Sequence, residues 1–157
     1  MEFVFSQELK NEIDGNLSIY AELTEFINNI KADKGELGFD CVDVFREKFR
    51  GLENKSFDDL SSYITQLYYD KVIAKNEMPV IGEALNSVYY ENRDKFVSDS
   101  EELRTVIEKV YKELCPLGKI ERAKYFSNIE NELSTDKYKK YIYSRVHSCL
   151  NPPIMLL

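Results

Sequence analysis

Apolar residues recur every three or four positions along almost the whole of this chain, a spacing that one face of a helix satisfies and a strand does not. The clearest case is the seam of Leu103, Val106, Ile107, Val110, Tyr111 and Leu114, which Ser98, Asp99 and Ser100 introduce as capping residues and Pro116 and Gly118 terminate. No run of alternating β-branched residues bounded by hairpin turns competes with this pattern. The spacing predicts an all-α protein, a compact bundle of seven to eight helices that takes residues 1–157 as a single domain. A chain of 157 residues with 43% hydrophobic side chains, 11 Tyr and 9 Phe has the material for such a core.

The same reading places the individual helices. A short helix capped by Ser6 is expected to end near Ile13, with Asp14, Gly15 and Asn16 as a turn. A second then carries Leu17, Tyr20, Leu23, Ile27 and Ile30 inward, with Glu22 and Glu25 on the opposite side, before a loop over residues 31–38. Asp40 is expected to cap the next, whose Val42, Phe45 and Phe49 point one way and whose Asp40, Asp43 and Glu47 point the other; Gly51 closes it. Ser56 introduces a helix with Leu60, Ile64, Leu67 and Lys71 on one stripe. Pro79 opens another, carrying Ile81, Leu85, Val88 and Tyr89. Beyond the central seam, Ile120, Ala123, Phe126, Ile129 and Leu133 define a further helix. Ser134, Thr135 and Asp136 start the last, with Tyr138, Ile142, Val146 and Cys149 inward, and Asn151, Pro152 and Pro153 stop it.

Charge is unevenly placed. The first 60 residues hold 14 acidic against 7 basic side chains, whereas the remaining 97 hold 14 of each, so the formal net charge of −7 belongs to the N-terminal part. On the expected helices, Glu22, Glu25, Asp40, Asp43 and Glu47 form an exposed acidic face, joined by Asp58 and Asp59, which also suit a first helical turn. Tyrosine adds to it. In the doublets at 68–69 and 89–90, adjacent residues lie 100° apart on a helix, so one of each pair faces outward, and Tyr69 and Tyr90 are the candidate contact residues.

Chemistry-bearing patterns are sparse by comparison. His147 is the sole histidine, and Cys149 two residues on cannot share its helix face. Cys41 and Cys115 lie in apolar stretches that suit buried, inert thiols, and no C-x-x-C pair suggests a zinc or redox centre. Residues 33–44 resemble a calcium loop only at the start, since Gly35, Leu37 and Val44 occupy ligand positions. Phosphate-cradling and nucleophile-elbow motifs are missing. Lys137, Lys139, Lys140 and Arg145 make residues 117–157 mildly basic, but a solvated helix face accounts for them, and the overall acidity opposes nucleic acid or anionic membranes. The opening residues have neither the basic nor the long apolar region of a secretory signal, and no stretch has the length of a membrane span. The apolar residues 154–157 are expected to pack on the domain or to dock elsewhere. No catalytic, cofactor-binding or metal-binding residue is assigned, and a cytoplasmic location is expected.

A short, acidic, all-helical chain of this character resembles the cytoplasmic immunity proteins that bacteria pair with secreted toxins, often nucleases. The resemblance covers the general character of the whole chain and assigns no residue. It implies a stoichiometric inhibitor that binds one basic protein partner, a toxin nuclease domain, and is not an enzyme; the oligomeric state stays open. A helical adaptor or regulatory protein, bacterial or phage-borne, would share this composition, and an enzyme with a carboxylate site is the third reading.

Overall fold

The computed structural model describes residues 4–132 and 136–150. Seven α-helices account for most of them, and no strand is found among the described residues. They are α1 (Gln7–Lys34), α2 (Val42–Arg50), α3 (Phe57–Tyr69), α4 (Met78–Glu91), α5 (Glu101–Leu114), α6 (Lys119–Glu132) and α7 (Lys137–Leu150), with short 3-10 turns at Phe39–Cys41, Lys75–Glu77 and Arg93–Lys95. The chain is all-α, as its periodicity requires.

Contacts divide the described residues into two compact units: those up to Ser18 together with Ser100–Leu150, and Ile19–Asp99. In the first unit, α7 packs on α5 and α6. Leu9, Ile13, Leu103, Val110, Leu114, Ile142 and Val146 are buried there. In the second, α2 packs chiefly on α4, which also meets α3. Leu23, Ile27, Phe45, Phe49, Leu60, Ile64, Leu67, Ile81 and Leu85 fill that interior, with the Phe45 ring edge-on to Phe26 and stacked near Phe49.

Several caps follow the sequence. Ser56 Oγ accepts the Asp59 N–H at 3.3 Å, Ser100 Oγ accepts the Leu103 N–H at 3.1 Å, and Asp136 Oδ1 accepts from the Tyr138 and Lys139 N–H groups. Each satisfies backbone donors that the first helical turn leaves without partners. Ser134, Thr135 and Leu133, the stop at 151–153 and the apolar residues 154–157 lie outside the described residues.

The turn expected at residues 14–16 does not form: α1 runs through it as one 28-residue helix. The side chains that would have capped a turn serve α7 instead. Asp14 Oδ1 pairs with Lys137 Nζ at 2.6 Å, Asp14 Oδ2 accepts the Tyr138 hydroxyl, and the buried Asn16 donates to the Tyr141 hydroxyl at 2.9 Å. These contacts offset the roughly 1 kcal/mol that Gly15 costs inside a helix. Six inward assignments also change. Lys71 lies past the end of α3 at a φ of +63°, Ile120 and Ala123 of α6 are exposed, Tyr111 at the end of the central seam is exposed, and Cys115 and Cys149 are exposed at the ends of α5 and α7.

Candidate interaction surface

Helix α2 has the clearest division between an inner and an outer face. Val42, Phe45 and Phe49 are buried, one turn apart, against α4 and Phe26. Asp43, Val44 and Glu47 fall within an arc of about 100° on the other side. The helix is entered through residues 35–38, where Gly35 at a φ of +85° makes the bend after α1, and through the turn Phe39–Cys41. That turn leaves Phe39 64% exposed beside Asp40, while Val44 is 43% exposed. Two apolar side chains thus stand in water among carboxylates.

Asp40 does not cap α2. Cys41 occupies the cap position without a side-chain bond, and Asp40 instead receives a hydrogen bond from Lys34 Nζ at 3.1 Å. The exposed carboxylates are interleaved with cations: Asp43 with Arg46 at 2.7 Å, Glu47 with Arg50, and Glu22 of α1 with Lys48. Arg50 reaches on to Glu91 of α4 at 3.0 Å, one residue from Tyr90. The Lys34 hydrogen bond holds the Asp40 carboxyl below its usual range, and Arg50 does the same for Glu91. Pairs this exposed contribute little to stability, so their groups can exchange partners at low cost. The long-range field comes from the wider region. Residues 19–99 carry 16 acidic and 10 basic side chains, whereas the rest of the chain carries 12 and 11.

Not every expected contact residue belongs here. Asp59 is 3% exposed and buried in the first turn of α3, where its N–H donates to the Ser56 cap. Asp58 beside it is exposed, as is Glu25 on α1. Both tyrosine doublets divide as expected, with Tyr90 at 70% and Tyr69 at 39% exposure against half-buried Tyr89 and Tyr68. Tyr90 lies under the Arg93 guanidinium, 5.8 Å from its ring centroid, near the Arg50 end of the face. Tyr69 sits against Tyr68 beside Asp70, which accepts from Tyr20 of α1.

Phe39 and Val44 were not singled out by sequence, although Val44 falls at the edge of the acidic arc, about 40° from Asp40 on a helical projection. Glu77 is the other addition. It is 2% exposed: Oε1 accepts the Ala74 N–H at 2.8 Å and Lys31 Nζ at 2.9 Å, and Oε2 accepts the Leu37 N–H at 2.7 Å. Burial would raise its pKa, but the Ala74, Lys31 and Leu37 hydrogen bonds outweigh that and hold the carboxyl below its ordinary range. It reaches back to the N–H three residues earlier as a capping box does, without the Ser or Thr that marks one in sequence.

No protein-family model, curated protein or solved structure matches this chain. Elsewhere, His147 is half-buried with its ring edge-on to Phe126 at 4.4 Å, at the rim of the α6 and α7 packing. Among the described residues, no group of three or more His, Cys, Asp and Glu side chains is arranged to hold a metal ion, and no helix is long and apolar enough to cross a membrane.

Proposed function

We propose that this chain binds a basic protein and neutralises it, as an immunity protein does its toxin, with a nuclease bearing a basic active-site cleft as the partner. The observation that carries the reading is the outer face of α2, where the exposed Phe39 and Val44 stand among Asp40, Asp43 and Glu47. Apolar anchors within a charged rim are the usual anatomy of a protein interface. The net acidity of residues 19–99 would speed encounter with a cationic surface, and the acids of α2 would exchange their own Lys and Arg partners for those of the toxin. Phe39, with Tyr90 toward the other end of the face, would then bury its ring in the cleft. Glu22, Glu25 and Asp58 act in this account through the field of the region.

The test starts from the protein that co-purifies with the untagged chain, identified by mass spectrometry. Asp40→Lys, Asp43→Lys and Glu47→Lys combined should slow its association by about tenfold or more at low salt, and by less at high salt. An unchanged association rate would sink the docking role of α2.

A further inference from the structure

Glu77 stands apart from the α2 face yet sits where the approach to that face is fixed. Three stretches of backbone converge on its carboxylate: the last turn of α1 through Lys31, the bend at residues 35–38 through the Leu37 N–H, and the segment before α4 through Ala74. Lys31 Nζ also donates to the Val72 carbonyl at 3.0 Å, tying α1 to that segment a second time. Leu37 is 3% exposed, so both its amide and its side chain are held. Phe39 and Asp40 follow two and three residues later.

Backbone bonds from Gly35 to Lys31 and from Cys41 to Gly38 are local, and the Lys34 to Asp40 pair, whose side chains are 44% and 68% exposed, holds little. A carboxylate with its charge-assisted bonds in the interior holds much more. We propose that Glu77 is the positioning residue of the docking face: by clamping Leu37 it sets the stretch that presents Phe39 and Asp40, independently of the packing of α2 on α4. This rests on the reading of that face as a partner surface.

The geometry makes the clamp separable from the fold. In Glu77→Gln one carboxylate oxygen becomes an NH2 group that meets a donor in place of accepting from it, and Lys31 loses its counter-charge. Phe45, Phe49, Ile81 and Leu85 remain in place to hold α2 against α4. Amide hydrogen exchange of the intact chain, residue by residue, reads the difference. In Glu77→Gln the amides of residues 35–41 should exchange about tenfold faster or more, while those in the middle of α2 and α4 keep their native rates. Lys31→Gln, which leaves both backbone bonds in place, should give a smaller change at the same amides.

A second readout uses the lack of tryptophan in the chain. With Phe39→Trp as a single fluorophore, adding Glu77→Gln should lower the fluorescence anisotropy while thermal unfolding stays cooperative. Native exchange at Leu37 in Glu77→Gln, or acceleration spread evenly over α2, α3 and α4, overturns the clamp. An association rate unaffected by charge reversal at Asp40, Asp43 and Glu47 overturns the docking reading and leaves the exchange result as it stands.

Discussion

Glu77 and the carboxylates of α2 lie in the same unit and carry the same chemistry, yet they hold opposite positions in it. Glu77 is 2% exposed with three donors on its two oxygens, whereas the Asp43 side chain is 88% exposed and meets one nearby arginine. A buried carboxylate has paid its desolvation on folding, so removing its partners, or removing it from them, is costly. An exposed one has lost little water, and its ion pair is close to neutral in free energy. Acidity as a sequence property therefore contains two populations: carboxylates that hold the chain together, and carboxylates available to another molecule.

The largest separation between them should come from truncation. Glu77→Ala strands the Leu37 and Ala74 N–H groups and the Lys31 ammonium, and should destabilise the protein by about 2–3 kcal/mol in urea unfolding. A loss below about 0.5 kcal/mol would place Glu77 among the surface carboxylates. Acid should act on the same group. The folded carboxyl titrates below its ordinary value of 4.5, so its contribution is fully present above that pH and is lost as pH falls through the lowered value. Protection of the Leu37 amide should therefore persist at pH 5 and disappear in stronger acid, and Glu77→Gln should abolish that dependence.

Smaller effects are expected around the bend and on the outer face. Gly35 adopts a φ of +85°, so Gly35→Ala should cost about 1 kcal/mol although nothing lies within 4 Å of the added methyl group. Asp43→Asn and Glu47→Gln should each change stability by no more than about 0.5 kcal/mol, measured by thermal unfolding. Larger losses there would mean that the outer carboxylates serve the fold.

The helices were readable in sequence because burial repeats: Val42, Phe45 and Phe49, or Leu103, Val110 and Leu114, mark a face by spacing alone. What spacing cannot carry is the use to which a polar side chain is put. Asp14 and Asn16 look like turn residues and become contacts to α7, so α1 continues through Gly15. Asp59 looks like a surface acid and is buried in the first turn of α3. Glu77 carries no marker, since two of its three donors come from Lys31 and Leu37, 46 and 40 residues away, and the third, the Ala74 N–H, belongs to a cap position without Ser or Thr. The acidic face was readable as an arc of α2, but Phe39 lies in a 3-10 turn outside the helical projection and its exposure depends on how the chain enters the helix.

The most direct test of the docking role of α2 is the association rate of the co-purifying partner with the wild-type chain and with the Asp40→Lys, Asp43→Lys, Glu47→Lys triple variant, compared at low and high salt. Docking through this face requires the variant to associate about tenfold more slowly or worse at low salt, with the two rates converging as salt screens the field. Equal rates at low salt, in a variant that remains folded, would contradict it.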